Sequence, residues 1–338
     1  MAGDIFQLDK GCDWSQLSGQ LDRGVSVILR TKDRPLFLRR ALASIVSQEF
    51  PDLTLYLVND GSDRTEVEKI ARSCLPKHLH VELIHNDRPI GQPAALNVGL
   101  TRVSREFFAV HDDDDTWSPL FLKKMVAFLQ EERNKRFIGA VSYCDQVSEF
   151  ASNDKIHRLE QRLHIAYPPV LRLIDILHPP VHPPPISQLM RQTALTIAGQ
   201  MNTELPVMYD YEWTIRLMRL ADIVTLPEVL AYYHYRSSEV ADTARNSVFE
   251  SMYEYEKIGA LLDNQLLRRD LDRGQFGFGL ARSLVHLNEA VRRLDVMQSD
   301  QVLNYLKQRA RSHARRRQLR RSIESPFRNL AKWLFGRQ

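Results

Sequence analysis

The chain has 338 residues, 43% of them apolar and 26% charged, ordinary proportions for a soluble globular protein able to bury a real core. They exclude a collagen-like, a disulfide-framework or a wholly disordered chain. The net charge of +4 is unevenly spread: residues 307–338 carry eleven Lys or Arg against the single acid Glu324, a balance of +10, leaving 35 basic and 41 acidic residues, −6, in residues 1–306.

In chain order, Val25–Arg30 is a buried-strand run. Pro35 follows at a favoured first-turn position, and Leu38, Ala41, Leu42 and Ile45 recur at amphipathic-helix spacing. Leu53–Val58 is the second strand, and Val67, Ile70, Ala71 and Cys74 repeat the helical spacing behind it. Val81–His85 is a third strand and Pro93–Arg102 a third helix, rich in small residues. Phe107–His111 is a fourth strand. Ser118-Pro119 then makes an N-cap and N1 pair for a helix through Leu122, Met125, Val126 and Leu129. Phe137–Cys144 is a fifth strand. Strands alternating with helices predict an α/β fold, a doubly wound and mostly parallel sheet with ligands at the carboxyl ends of its strands.

Seven prolines between Tyr167 and Pro185 exclude a regular helix or central strand there and predict a long shaped loop or linker. His178 and His182 lie in this stretch without metal-ligand spacing. Helical patterning returns at 191–199 and 209–220, a short apolar run covers Ile223–Leu226, and from about 246 the chain reads as nearly all helical. Gly274, Gly277 and Gly279 follow no strand, so they read as a helix–helix turn rather than a dinucleotide fingerprint. The N-terminus lacks a basic stretch leading into an apolar one, and no apolar run reaches the ~18–20 residues of a membrane span. Cys12, Cys74 and Cys144 are odd in number and far apart, the pattern of reduced thiols in a cytosolic protein.

The tetrad Asp112-Asp113-Asp114-Asp115 stands where the fourth strand ends. In an extended stretch Asp112 and Asp114 point to one side, Asp113 and Asp115 to the other. Two carboxylates on one side suit Mg²⁺ or Mn²⁺, which keep open positions for phosphate oxygens. A solvated acidic turn capping the next helix is the bland alternative.

With these residues in place the chain resembles the family 2 glycosyltransferases, which have the GT-A fold and bind nucleotide-sugars. The resemblance rests on Val25-Ser26-Val27-Ile28-Leu29-Arg30-Thr31-Lys32-Asp33-Arg34-Pro35, on Asn59-Asp60-Gly61-Ser62, on Asn97-Val98-Gly99, on the tetrad with Trp117 and Pro119, and on Tyr209-Asp210-Tyr211-Glu212 with Arg216. These motifs run in family order over residues 25–236. Lys32 stands where an aromatic is usual and Tyr209 where an acid is usual.

The resemblance implies a metal-assisted, inverting transfer from a nucleoside-diphosphate sugar of the UDP, GDP or dTDP type to a glycan or lipid-linked acceptor. It implies that Thr31 and Asp60 line the nucleotide pocket with Asp112 and Asp113, that Asp114 with Asp112 holds the metal, and that Asp210 is the general base. Asp115, Arg34, Asn97, Glu212 and Arg216 would support the site. His234 and Arg236, which alternate to the same side of an extended chain, would reach the diphosphate or the metal; an aromatic-rich strand edge is the other reading. The Pro-rich segment would wall the acceptor pocket, or be an inert loop.

Helix spacing bears on the base independently of the family. Residues two apart face nearly opposite ways, and Glu212 can pair with Arg216 at i+4, whereas Asp210 has no partner at i+3 or i+4.

The expected organisation is a lead-in at 1–24, a nucleotide-sugar-binding half at 25–144, an acceptor half at 145–240, a helical region at 241–306 and a basic tail at 307–338. In the tail Ile323, Phe327, Leu330, Ala331 and Leu334 recur at near-helical spacing among basic residues. That suits the inner face of a membrane; a partner helix, a homodimer contact or a solvated tail are the alternatives. The acidic body and the lack of any nucleic-acid motif count against nucleic-acid binding. A non-catalytic nucleotide-sugar-binding scaffold, or a membrane-associated assembly protein acting through the tail, is the rival to an enzyme.

Overall fold

A computed structural model describes residues 22–152, 155–177, 181–236, 252–274, 277 and 279–288. The chain falls into two compact units, Met1–Gly279 and Leu280–Gln338, and the structure that follows is that of the first.

Its strands are β1 (Asp22–Thr31), β2 (Leu53–Asp60), β3 (His80–Asn86), β4 (Arg105–Asp112), β5 (Thr116–Trp117), β6 (Gly139–Ser152), β7 (Lys155–Ile165), β8 (Gln188–Arg191) and β9 (Ile223–Tyr235). Its helices are α1 (Pro35–Val46), α2 (Arg64–Cys74), α3 (Gln92–Leu100), α4 (Phe121–Gln130), a single turn α5 (Leu173–Ile176), α6 (Thr193–Ala198), α7 (Tyr209–Met218) and α8 (Met252–Arg273).

The strands make one sheet in the order β3-β2-β1-β4-β8-β6-β9-β5, with β7 hairpinned onto β6. β3, β2, β1 and β4 run parallel. β8 is antiparallel to both neighbours, β4 and β6. Val25, Val27 and Leu29 alternate onto one face of the sheet, in a core with Leu38, Leu42 and Ile45 of α1, Ile70 of α2 and Leu122 and Met125 of α4. Burying each such side chain contributes about 1.5–3 kcal/mol. α3 covers the other face, and it can approach because Gly99 lies against Ile28, where an added Cβ would stand 2.6 Å from a methyl carbon.

Several elements differ from expectation. α4 begins at Phe121, two residues beyond the Ser118-Pro119 start: the Phe121 amide donates to the Ser118 carbonyl at 2.9 Å, so Ser118 forms a turn before the helix. The fifth strand runs on to Ser152 and turns back as β7, whose charged sequence hides it from any alternation of apolar residues. The division expected at 144/145 therefore falls inside β6, and both halves share one sheet. Pro227 sits in a long strand because it occupies a register break: Ser142 pairs with Leu226, but the next residue, Tyr143, pairs with Val229. A bulge there spares the ladder the amide that proline lacks.

The basic tail at 307–338, the lead-in through residue 21 and His178 lie outside the described residues. Among the described residues no helix is long and apolar enough to cross a membrane.

Candidate active site

The parallel register sets Arg30 beside Asp112 and Thr31 beside Asn59, so that the carboxyl ends of β1, β2 and β4 share one edge. This is where such sheets place ligands. Asp60 is fully buried at the end of β2. One of its oxygens accepts from Arg30 at 3.0 Å, the other from the Asn86 amide group at 3.2 Å and the Ile90 amide at 2.9 Å. It therefore pins the loop after β3 against the sheet. Gly61, at φ 84°, is required next to it, since a Cβ there would meet Pro89 at 2.5 Å.

The tetrad is not extended. β4 ends at Asp112 and the Asp115 amide turns back to the Asp112 carbonyl at 3.3 Å, so the expected alternation of the four acids gives way to a turn. The buried Thr31 hydroxyl donates to Asp113 at 2.9 Å, which makes it a support for that carboxylate. Arg34 stands 3.5 Å from Asp113 and 3.1 Å from Asp114. Asp115 accepts from the His234 amide at 2.8 Å. Crowded burial sets the tetrad's chemistry. Asp112 is pushed up to about 7 by burial and by the charges of Asp114, Asp113 and Asp210. Burial raises Asp113 and raises Asp115 strongly, with Asp114 adding to both.

Behind the tetrad lies a hub that no sequence motif marks. Glu149, on β6, has a buried side chain and accepts from Arg40 at 2.6 Å, His234 Nδ1 at 2.7 Å and Arg236 at 2.7 Å. Burial alone would raise the carboxyl, but the hydrogen bonds from His234 and Arg40 outweigh it and hold it at about 2. Arg236 is fully enclosed, bridges Glu149 to Asp114, and lies over the Phe37 ring at 4.3 Å. Thr116 holds the far side of His234, at 2.9 Å from Nε2. His234 and Arg236 thus face the same way, Arg236 reaching Asp114 directly and His234 through Glu149. Glu149 could be found only through the pairing of β6 with β9, which sets Val147 beside His234.

Asp210 lies in the first turn of α7, its side chain 30% exposed. Met208 immediately before α7 adopts φ 60°, a left-handed backbone that is strained for such a residue and typical of functional turns. Glu212 pairs with Arg216 at 2.8 Å, and Arg216 also reaches the Gln200 carbonyl at 2.9 Å, so this pair fastens α7 to the loop before it. Asn97 clasps the Met201 backbone with both ends of its amide, each at 2.9 Å, a structural tie.

Asp210 does have a neighbour, though not on its own helix. Nδ1 of His182 stands 4.0 Å away, from the Pro-rich segment. Tyr209 and Tyr255, the latter from α8, complete the surround: burial pushes Tyr209 up strongly and Tyr255 out of the ordinary phenol range, with Asp210 and Asp112 adding to both. Neither His182 nor Tyr255 is marked by sequence spacing.

No group of three or more His, Cys, Asp or Glu side chains among the described residues is placed to hold a metal ion. The acids still fit an open site of the kind Mg²⁺ uses, one or two carboxylates completed by substrate phosphate. Asp112 could contribute to it, and Asp114 through the oxygen left over, since Arg34 and Arg236 both engage its Oδ2; burial and the neighbouring acids raise the Asp112 carboxyl, a charge a cation would offset.

Residues 26–192 match the sequence model of the family described as Glycosyl transferase family 2. An uncharacterized glycosyltransferase of Haemophilus influenzae is 25% identical over 261 residues, 70% of this chain and 75% of that protein. Another, from Rickettsia typhi, is 24% identical over 252 residues, 73% of this chain and 74% of its own. Among solved structures, residues 1–349 of S. aureus TarS superimpose with a TM-score of 0.50 at 17% identity, covering 77% of this chain and 68% of that one. At that identity the likeness is one of fold.

Proposed function

The chain belongs to the family 2 glycosyltransferases and has their GT-A type of α/β fold, and on that premise we propose that it moves a sugar from a nucleoside-diphosphate sugar, of the UDP, GDP or dTDP type, to an acceptor hydroxyl with inversion, Asp210 acting as general base. The observation that carries this reading is the placement of Asp210, partly exposed at the start of α7, close enough to act electrostatically on Asp112 at the strand edge. A donor anchored at the strand ends and an acceptor approaching along α7 would meet between these two carboxylates.

In the proposed step the acceptor oxygen forms a bond to the anomeric carbon as the bond from that carbon to the diphosphate oxygen breaks. The acceptor's proton passes to Asp210, and the leaving group departs as nucleoside diphosphate. One base and one displacement invert the centre, whereas retention by double displacement would need a second carboxylate as nucleophile. Arg34, partly exposed at Asp114, would supply positive charge to the departing diphosphate, while Arg236, enclosed between Asp114 and Glu149, would hold Asp114 in place. A Mg²⁺ or Mn²⁺ ion held by Asp112 and Asp114 would add Lewis-acid stabilisation of the same charge. Thr31 fixes Asp113, and Asp60 with Arg30 shapes the nucleotide end of the pocket. The family resemblance favours a glycan or lipid-linked acceptor, presented at the inner face of a membrane.

A panel of UDP-, GDP- and dTDP-sugars with Mn²⁺ or Mg²⁺ tests this by nucleotide release, and NMR of the product gives its anomeric configuration. One donor is expected to turn over with inversion, with Asp114→Ala strongly impaired. Retention of configuration would sink the single-displacement reading. Donor binding without turnover on any acceptor would favour a scaffold.

A further inference from the structure

The segment between the prolines carries His182, whose Nδ1 stands 4.0 Å from Asp210 Oδ2. We propose that His182 is a positioning residue for Asp210, its Nδ1–H directed at Oδ2 so that the other oxygen is presented to the acceptor hydroxyl. The inference rests on the reading of Asp210 as general base.

Three observations support it. His182 is held at one end of its ring and faces Asp210 with the other. Nε2 lies 2.9 Å from the Thr214 hydroxyl, and Nδ1 lies 4.0 Å from Asp210 Oδ2. Asp210 and Thr214 are four residues apart on α7 and so share one helical face, which the imidazole spans edge-on. The ring also meets Tyr211 in a T-shaped contact with centroids 5.7 Å apart.

The tautomer follows from the partners. An ionised carboxylate only accepts, so the proposed contact puts the proton on the nitrogen facing Asp210, and Thr214 then donates to Nε2. The side chain is only 8% exposed, which favours the neutral ring. Burial lowers its pKa while the Asp210 charge works to raise it.

The segment bearing His182 is fastened on its C-terminal side. Pro183 and Pro184 fix their own φ angles, and their carbonyls accept from Gln188 at 2.7 Å and Ser187 at 2.8 Å. Two residues on, the Ile186 carbonyl accepts from the Trp117 indole at 2.6 Å. The strap that aims His182 is thus pinned to the residue that follows the tetrad by two positions. A proline-rich stretch of this kind does more than wall a pocket: it carries one side chain to a set place. The 4.0 Å separation is longer than a hydrogen bond, as catalytic contacts commonly are before substrate closes a site.

The charged and titratable groups around Asp210 are Asp112 of β4, Tyr209 of α7, Tyr255 of α8 and Arg30, whose charge acts on Asp112 and Tyr209. None of them contacts His182 in a way that would select its tautomer.

The test has one arm independent of turnover. In full-length protein labelled with ¹⁵N-histidine, the His182 signals are assigned by their loss in His182→Gln. The expected ring is neutral with the proton on Nδ1, and Asp210→Asn shifts its Nδ1 resonance. A proton on Nε2, or no response to Asp210→Asn, would overturn the proposal.

The second arm uses the donor identified from the UDP, GDP and dTDP panel. His182→Asn places an amide near the Nδ1 position and His182→Gln places one near Nε2, keeping only the Thr214 contact. His182→Gln is expected to lower kcat about tenfold or more, part of the ~10²–10⁴ a general base supplies, with KM little changed and His182→Asn retaining the larger share. Wild-type kcat in His182→Gln sinks the positioning role alone. Full turnover in Asp210→Asn would instead remove the base assignment beneath it.

Discussion

Replacing Glu149 with Gln isolates the hub behind the tetrad. The carboxyl is held at about 2 against an ordinary 4.5, and each unit is worth about 1.36 kcal/mol, so the ionised group contributes about 3 kcal/mol to folding. Removing one member of a buried ion pair independently costs roughly 3–5 kcal/mol, because Arg40 loses its anion and Arg236 loses one of its two, keeping Asp114. Gln keeps the shape and loses the charge. For a folded unit of this size about 3 kcal/mol corresponds to a drop of roughly 6–12 °C in melting temperature.

The pH dependence gives a second handle on the same number. A depressed carboxyl stabilises the fold above its unfolded value of 4.5, and that contribution is lost as pH falls toward 2. Urea unfolding of wild type and Glu149→Gln at pH 7 should therefore show the full gap, and the gap should narrow below pH 4.5. A difference under about 0.5 kcal/mol at pH 7, in the range of an ordinary surface change, would refute the hub as described. So would a gap that widened on acidification.

Three further outcomes follow from particular contacts. Gly99→Ala drives a methyl group into Ile28 and should destabilise by about 1–3 kcal/mol; a neutral result in chemical denaturation would mean α3 is free to move off the sheet. Mn²⁺ should raise the melting temperature of wild type but not of Asp114→Ala, and equal shifts in calorimetry would remove Asp114 as a ligand. Deleting 307–338 should abolish co-sedimentation with anionic liposomes while leaving donor hydrolysis intact; undiminished pelleting would end the membrane role proposed for the tail.

The first four strands and helices α1, α2 and α4 were legible because each is a compact apolar run or a 3.6-residue repeat, and Pro35 marks the start of α1; α3 was legible only as a run of small residues. β7 was not, since Lys155–Ile165 is charged on both faces and is defined by its pairing with β6 rather than by burial. The order of motifs pointed to Asp112, Asp114 and Asp210 and to one edge of the sheet. It could not show that Thr31 and Asp60 are occupied by Asp113 and by Arg30, Asn86 and Ile90, because those contacts depend on register. Glu149 and His182 were invisible for a related reason: each gains its role from partners on other elements, far away in sequence. The proline run was legible as a break in regular structure, but its consequence, a histidine delivered to Asp210, required the fold.

The central claim is that Asp210 removes the acceptor's proton. Its most direct test is single-turnover transfer from the active donor by Asp210→Asn, with donor affinity and melting temperature measured alongside. A fall of about 10²–10⁴-fold in the transfer rate, with affinity and stability close to wild type, is the predicted result. A transfer rate within a few-fold of wild type would contradict it.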